Sequence, residues 1–518
     1  MKMKILKKID ENKLMLFILL VGILVRVIGI GLMPNALNCD EASAGYEAYS
    51  ILNYGIDRNG NFLPVFLVAW GSGQNALLTY LIIPFVKVMG LNVLSVRLPM
   101  AIISSISLII MYKLLNKIGN KKLAIIGLLL LAISPWHIMK SRWGLESNLF
   151  PDLILMFVYL LISGLENKNK LLYYSSFIIA GISAYSYGTS YYFLPVFIIP
   201  LLIILIKKKY IKFGSAVISL GIVGIVSLPI VLYVLINTLG LSQINLPFMT
   251  IPILEVNRYE SITSIFSSEF VLMSIKNILK CLSILVFQSD NLPWNNIFPY
   301  GIIYLPSIVF TFIGIINSFR KNKSFKLKYN YLFNIWFIVS LILSLIVPPN
   351  INRLNILMIP IIIYTVEGIY IVFKLVNNKK KVGIIFTLMY LTMFILFLTQ
   401  YASQDYNKFS TFESGLDSPI KYVKNKSKDI YITKSIKMPY IYVLFYSEYN
   451  TLDFVKTVEY ENEGAAFEKV KSFGKYHFEN IRELKSNSIY IIEKKNKDKY
   501  NLDDYKITIF DNYVVIET

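Results

Sequence analysis

Eleven apolar segments, separated by polar gaps of unequal length, constrain this chain more than any other feature of its sequence. Each segment approaches the ~20 residues that an α-helix needs to cross the hydrocarbon core of a bilayer. With 55% hydrophobic residues and a mean hydropathy of +0.56, this pattern excludes a single soluble core and predicts a polytopic α-helical membrane protein. The predicted spans are residues 14–33, 97–116, 123–140, 149–165, 171–187, 192–206, 213–237, 299–319, 330–348, 354–374 and 383–401.

The net charge of +20 lies entirely in the apolar part of the chain. Residues 405–518 carry 18 basic and 18 acidic side chains, whereas residues 1–404 carry 34 basic and 14 acidic ones. The lysines cluster in alternate gaps between spans, which is typical of cytoplasmic loops. The basic excess therefore indicates contact with the anionic lipid of a cell membrane and not with nucleic acid. This topology predicts a cytoplasmic N-terminus and places residues 34–96, 238–298 and 405–518 on the outer face.

Composition divides the chain into a transmembrane domain, residues 1–404, and a small extracytoplasmic domain, residues 405–518. Short apolar or alternating runs in the second part predict strands, and helical patterns lie between them, so this part is predicted to be α/β. The predicted strands are residues 429–433, 488–493, 506–510 and 513–517, and the predicted helices lie near residues 419–425, 439–447 and 464–473. In the outer loops, residues 76–89 and 264–287 are predicted to form interfacial helices.

Asp40 and Glu41 are adjacent carboxylates just beyond the first span. Charge at this depth is costly, so the pair favours a base, a metal ligand or an ion site. A simpler explanation is that one of the two acids caps a helix that begins near Ala42, and this is compatible with a catalytic role. Glu146, in the short outer loop of residues 141–148, is a further candidate acid.

Arginine is concentrated near the outer face, where basic residues are normally disfavoured. Of seven arginines in residues 1–404, five lie there: Arg58, Arg97, Arg142, Arg258 and Arg353. Any one of them is explained by snorkelling to the interface. Five together favour an outward-facing phosphate site, because a guanidinium binds phosphate bidentately. The sequence contains no P-loop, dinucleotide fingerprint or zinc-ligand spacing. Four tyrosines near another outer end form an aromatic belt or line a sugar pocket: Tyr185, Tyr187, Tyr191 and Tyr192.

These motifs, in this order, resemble the polyprenyl-phosphate-dependent glycosyltransferases of the GT-C superfamily, specifically the protein O-mannosyltransferases and aminoarabinose transferases of glycosyltransferase family 39. The resemblance rests on Asp40-Glu41 early in a large outer loop, on Val-Arg-Leu-Pro at residues 96–99 and on Arg-Trp-Gly-Leu-Glu at residues 142–146. It implies inverting transfer of a monosaccharide from a polyprenyl-phosphate donor to a glycan, lipid or protein hydroxyl on the outer face.

The resemblance also implies roles for individual residues. Asp40 takes the position of the family's catalytic acid, Glu41 is a supporting carboxylate or metal ligand, and Glu146 is the second acid by loop position. The positive charge that the leaving lipid phosphate needs is assigned to Arg353, Arg58 and Arg142. No cofactor is implied with certainty, and a divalent metal is left open. The aminoarabinose branch typically has Lys-Pro-Pro in the first loop, where this chain has Gly-Gln-Asn-Ala at residues 73–76, so the sugar and acceptor are not carried over.

Two other functions fit parts of the pattern. A lipid-linked glycan flippase or other transporter predicts charges inside the spans and often repeated halves, but the predicted spans carry few charges, Arg26, Lys113 and Glu367 among them, and no internal repeat is visible. A polymerase or ligase that uses lipid-diphosphate donors shares the outer arginines, but it does not require Asp-Glu after the first span.

Overall fold

The computed structural model describes residues 10–256, 268–320, 325–403 and 412–518; Arg258 and the predicted domain boundary after residue 404 lie outside them. Its helices are α1 (Glu11–Val27), α2 (Cys39–Tyr54), α3 (Leu77–Met89), α4 (Val93–Ile118), α5 (Lys121–Ile133), α6 (Pro135–Ser141), α7 (Phe150–Glu166), α8 (Lys170–Ser183), α9 (Ser190–Lys207), α10 (Phe213–Leu239), α11 (Phe270–Phe287), α12 (Ser307–Phe319), α13 (Asn330–Ile346), α14 (Asn355–Leu375), α15 (Lys379–Tyr401), α16 (Asp417–Val423), α17 (Pro439–Ser447) and α18 (Thr451–Thr457). Its strands are β1 (Phe66–Leu67), β2 (Gln74–Asn75), β3 (Ile244–Leu246), β4 (Met249–Ile251), β5 (Asp429–Thr433), β6 (Glu459–Tyr460), β7 (Val470–Phe473), β8 (Tyr476–Glu479), β9 (Ser488–Glu493), β10 (Lys506–Phe510) and β11 (Tyr513–Glu517).

Apolar helices dominate the first part of the protein, as predicted. Within the described residues, seven helices are long and apolar enough to cross a membrane, or eight if the bent pair α5–α6 is one span. That pair bends by 58°, and the bend falls before Pro135, whose ring is tolerated at the first position of a new helix but not within a continuous one. The protein is therefore a multi-pass membrane protein, although the single span predicted for residues 123–140 is two helices.

The helix α11 falls within residues 264–287, which are predicted to form an interfacial helix. Its 18 residues are long enough to cross a bilayer. However, Asn277 in α11 donates to the carbonyl of Leu345, at the end of α13, and Asp290, three residues past α11, accepts from the amide of Ile351. Both contacts lie at the same end of the bundle, because Ile351 is in the loop that follows α13. This arrangement favours the interfacial position expected for this segment over a crossing.

The C-terminal domain contains a seven-stranded sheet in the order β10-β11-β9-β5-β8-β7-β6, with β5 parallel to β8 and β9 and the other neighbours antiparallel. All four predicted strands and the predicted helix at residues 439–447 are confirmed. The helix predicted for residues 464–473 is wrong: its last part is the strand β7, which pairs with β6 and β8. Tertiary pairing overrides the weak local helical pattern there.

The C-terminal domain packs directly on the long loop between α1 and α4. The hydroxyl of Tyr46, in α2, donates to the carbonyl of Tyr449 over 2.9 Å. Gly45 allows this approach, because a Cβ there would lie 2.6 Å from Phe445 and 2.7 Å from Val96. The two segments share one apolar core. They therefore lie on the same side of the membrane, as the alternation of lysine-rich gaps requires.

Candidate active site

A cavity of about 380 Å³ lies where α2, several of the loops between the helices and the C-terminal domain meet. Four charged side chains line it, two acidic and two basic: Asp40, Glu146, Arg353 and Lys437. Aromatic and amide side chains complete much of the wall: Phe66, Trp70, Gln74, Asn75, Tyr187, Tyr192, Asn350, Asn352 and Phe467. Of the six residues predicted for the site, the structure brings together Asp40, Glu146 and Arg353.

Asp40 is the second residue of α2, and the start of this helix fixes its position. Asn38 caps the helix by accepting the amide of Glu41 over 2.8 Å, and the Glu41 side chain accepts the amide of Asn38 in return. The carboxylate of Asp40 is half-buried at the cavity wall. Its backbone carbonyl accepts from the Gln74 amide over 3.4 Å. The positive end of the helix dipole favours a negative charge at this position.

Glu41 does not line the cavity, because its oxygens are held in the protein interior. Arg97 donates to Oε1 from Nε over 2.7 Å and to Oε2 from Nη2 over 2.9 Å, and the amide of Gly144 donates to Oε1 over 2.9 Å. Arg97 also donates to the carbonyls of Ile30 and Pro34. The Glu41–Arg97 pair thereby holds the chain that leads into α2. Its hydrogen bonds indicate that it positions α2.

Glu146 lies in a single 3-10 turn, Glu146–Asn148, and its carboxylate accepts the backbone amide of Asn75. The side chain of Asn75 accepts from the hydroxyl of Tyr191 over 2.7 Å. These bonds join the loops that carry Asn75 and Glu146 beside the cavity. Of the four tyrosines near this end, Tyr187 and Tyr192 line the cavity.

Arg353 lies in the turn between α13 and α14 and is half-buried at the cavity wall. The side chain of Asn350 accepts the Arg353 amide over 2.8 Å, and Nη1 of Arg353 donates to the carbonyl of Pro348 over 2.8 Å. A guanidinium has five N–H donors, so this bond orients the group and leaves further donors for a ligand.

Arg58 lies behind the cavity wall and does not line it. Nε is 3.4 Å from Oε1 of Glu47, and Nη1 donates to the hydroxyl of Ser43 over 2.9 Å. The guanidinium carbon lies 4.7 Å from the ring centre of Trp70, a cavity residue, and 5.7 Å from that of Tyr440 in the C-terminal domain. Arg58 therefore supports the cavity wall and does not face a phosphate there.

Burial raises the pKa of Glu47 from its ordinary value of 4.5 to about 7, although the charge of Arg58 opposes the shift. The folded protein thus keeps a proton that the unfolded chain releases near pH 4.5. The resulting stabilisation is complete below pH 4.5 and is lost as the pH rises through about 7.

As the pH rises from 4.5 to 7, we expect the unfolding temperature of the wild-type protein to fall more steeply than that of Glu47→Gln. The difference in the free energy of unfolding is at most about 3 kcal/mol. Differential scanning fluorimetry of both proteins in the same detergent measures it. Equal slopes would show that Glu47 is charged throughout this range.

Arg142 also lies outside the cavity, at the end of α1. Its Nη1 donates to the carbonyls of Val25 and Ile28 over 2.7 and 2.8 Å, and Nε donates to that of Met33 over 3.2 Å. The last carbonyls of a helix have no donor within the helix, and Arg142 donates to the carbonyl of Val25 in the last turn of α1. The first span, predicted for residues 14–33, accordingly ends as a helix at Val27 and continues as a turn that Arg142 holds.

A buried charge network, largely missed by the sequence reasoning, lies beneath the cavity. Nη2 of Arg26 is 2.6 Å from Nδ1 of His137, whose Nε2 is 3.3 Å from Oδ1 of Asp152. Lys140 and Ser104 donate to the other oxygen of Asp152 over 2.6 and 3.0 Å. Both ring nitrogens of His137 thus lie within hydrogen-bond distance of charged side chains. The sequence feature that marks Asp152 is the presence of an acidic residue within an apolar segment.

This network reaches both loops that carry cavity residues. Lys140 donates from Nζ to the carbonyl of Asn148, two residues after Glu146. Asn355, two residues after Arg353, donates to the Asn148 side chain over 3.1 Å. The network therefore fixes the loops of Glu146 and Arg353 relative to each other.

Two carboxylates, Asp40 and Glu146, line the cavity and could contribute oxygen ligands to a divalent cation. In the described ranges, no group of three or more His, Cys, Asp or Glu side chains is placed to hold a metal. Mg²⁺ is commonly bound by one or two carboxylates together with water and substrate phosphate. A divalent metal bound by Asp40 and Glu146 would thus need the phosphate of a ligand to complete its coordination.

Comparisons with known proteins agree with the fold. Residues 75–243 match the family model described as dolichyl-phosphate-mannose-protein mannosyltransferase. A search of curated proteins found no match. The structure is similar to that of ArnT from Cupriavidus metallidurans bound to undecaprenyl phosphate, with a TM-score of 0.56 and 9% identity over 98% of each chain.

The structure is also similar to that of the oligosaccharyltransferase of Archaeoglobus fulgidus in complex with Zn and sulfate, with a TM-score of 0.53 and 11% identity. That match covers 84% of this chain and 61% of the archaeal one, so the chain spans about three fifths of the length of that relative. Residues 75–243 are thus similar to the dolichyl-phosphate-mannose-protein mannosyltransferase family, and the chain shares the fold of these two solved structures.

Proposed function

We propose that the chain transfers a monosaccharide from a polyprenyl-phosphate-linked donor to a hydroxyl of a cell-envelope glycan, lipid or protein, on the outer face of the membrane. The observation that carries this proposal is the cavity that brings Asp40, Glu146 and Arg353 together at one end of the apolar helices. The similar structures support the donor class. One is of ArnT bound to undecaprenyl phosphate, and another is of the archaeal enzyme AglB with an inhibitory peptide and a dolichol-phosphate.

The residues of the cavity fit an inverting displacement. The acceptor oxygen attacks the anomeric carbon, the bond from this carbon to the phosphate oxygen breaks, and its electron pair leaves with the lipid phosphate. Asp40 takes the proton of the acceptor hydroxyl as general base. Arg353 stabilises the charge that develops on the leaving phosphate. Glu146, the second carboxylate, accepts hydrogen bonds from the sugar as the anomeric carbon becomes positive.

The location of the cavity suits a lipid donor. A polyprenyl chain stays in the hydrocarbon, so its phosphate and sugar must be met at the membrane boundary. Arg353 lies at the turn between two apolar helices, which supports a role in binding the phosphate, while Asp40 lies at the start of α2 on another part of the wall. A volume of about 380 Å³ is within the range of pockets that hold small ligands. Trp70, Tyr187 and Tyr192 offer aromatic surface to a sugar ring.

We expect Arg353→Ala to weaken binding of a polyprenyl-phosphate sugar by about tenfold to a hundredfold, because a hydrogen bond to a charged group contributes about 1.5–3 kcal/mol. Binding to the purified protein can be followed by microscale thermophoresis. Arg353→Lys keeps the charge but loses the planar donor fork, so it should restore only part of the affinity. The matched control is Arg482→Ala, at an exposed arginine of the C-terminal domain. Unchanged affinity in Arg353→Ala would assign Arg353 to the loop structure alone.

A further inference from the structure

A second cavity, of about 190 Å³, lies in the C-terminal domain beside the candidate active site. Lys437 and Met438 line both cavities, so the two spaces adjoin at these residues. The remaining wall of the second cavity comes from β7, β8, the start of α17 and residues that follow β5 and β6. The C-terminal domain thus adds a compartment to the active site.

The wall of the second cavity is basic. Three lysines and one acid line it: Lys434, Lys437, Lys469 and Glu461. The Nζ of Lys434 lies 2.5 Å from Oε1 of Glu461, and this pair offsets one of the positive charges. Lys437 and Lys469 leave the wall with an excess of positive charge, next to apolar side chains such as Ile436 and Phe478.

The backbone at the junction is held in an uncommon conformation. Met438 has a φ of +50°, in the left-handed region that non-glycine residues rarely adopt. Such strain costs on the order of 1–3 kcal/mol and often occurs at functional sites. It turns the chain sharply between β5 and α17, and it presents Lys437 where the two cavities meet. The N-terminus of α17 lines the second cavity with Pro439 and Tyr440, which adds to the positive potential there.

We propose that the second cavity binds an anionic group of the acceptor, a phosphate or a carboxylate, and thereby directs the acceptor hydroxyl into the active-site cavity. This inference rests on the proposed function, since it names the class of acceptor. Ammonium groups are compact charges with three donors each, and two of them can hold one anionic group between them. The donor phosphate is met by Arg353, on the membrane domain, whereas Lys437 and Lys469 belong to the C-terminal domain. The two anions are therefore recognised by different parts of the chain.

Lysine protection tests this inference without requiring turnover. The purified protein in phosphatidylcholine nanodiscs is dimethylated at lysine with and without inorganic phosphate, at constant ionic strength, and the modified peptides are quantified by mass spectrometry. We expect saturable protection of Lys437 and Lys469 by phosphate, while the exposed Lys494 and Lys499 of the same domain react equally in both conditions. In Lys469→Gln, the phosphate concentration that protects Lys437 should rise about tenfold. In the control Lys494→Gln it should not change.

A second arm distinguishes the source of the anion. Nanodiscs that contain phosphatidylglycerol, without added phosphate, protect the two lysines if the group belongs to a lipid headgroup. Protection by phosphate alone assigns it to a soluble or glycan-borne group. No protection in either arm, or equal protection of all four lysines, would overturn the inference. Anion binding together with a lack of transfer from any polyprenyl-phosphate sugar would contradict the proposed function instead, so the two failures are distinguishable.

Discussion

Asp40→Asn is expected to reduce sugar transfer by about 10²–10⁴-fold, because asparagine cannot take the acceptor proton that a general base removes. Donor binding should stay close to that of the wild type. Asparagine has nearly the same shape, and it is compatible with the start of α2, where Asn38 provides the cap. Release of labelled sugar from polyprenyl phosphate by the purified variant measures the first effect, and thermophoresis with the same donor measures the second.

Asp417→Asn is the matched control for this substitution. Asp417 also lies in the first turn of a helix, α16, but it does not line the cavity and pairs instead with Lys421 over 3.0 Å. We expect full turnover in this variant. Near-normal turnover in Asp40→Asn would reduce Asp40 to a residue that favours the start of the helix.

Arg97→Ala is expected to lower the free energy of unfolding by about 3–5 kcal/mol, because it leaves the buried carboxylate of Glu41 without its partner. It also removes the donors to the carbonyls of Ile30 and Pro34, which hold the chain before α2. Thermal unfolding in detergent and the yield of monodisperse protein report this loss. An unfolding temperature equal to that of the wild type would contradict the positioning role of the pair.

The single variant Glu41→Gln and the double variant Arg97→Met, Glu41→Gln together separate the two roles considered for Glu41. Removing both charges should cost less stability than Arg97→Ala, since no buried charge is left unpaired. If Glu41 acts only through the position of α2, Glu41→Gln should lose turnover in proportion to the loss of folded protein. Loss of turnover with an unchanged unfolding temperature would instead support a direct catalytic role.

Much of the fold follows from the sequence, because its causes are local. A run of apolar residues long enough to span a bilayer predicts a transmembrane helix whatever the rest of the chain does. Lysine-rich gaps after alternate spans predict which loops are cytoplasmic. Strands β9 and β11 are short apolar runs, and their bounds were predictable for that reason. The break at Ser134–Pro135 and the end of α1 at Val27 were not predictable. In both places the chain stays as apolar as a continuous span, although the helix bends or gives way to a turn.

The candidate site was less predictable, because it depends on the direction in which each side chain points and on contacts between residues that are far apart in the sequence. Asp40 and Glu41 are neighbours in sequence, but successive residues of a helix point about 100° apart. One carboxylate therefore lines the cavity and the other meets Arg97. Lys437 comes from a domain far along the chain, and no local motif marks it.

The most direct test of the central claim is the donor preference of the purified wild-type protein. Labelled polyprenyl-phosphate monosaccharides and the corresponding polyprenyl-diphosphate sugars are each incubated with a cell-envelope fraction as acceptor. The label left on lipid and the anomeric configuration of the product are then measured. We predict that label leaves a monophosphate donor with inversion, and that this transfer is lost in Asp40→Asn. Consumption of the diphosphate donors alone, or retention of configuration, would contradict the account.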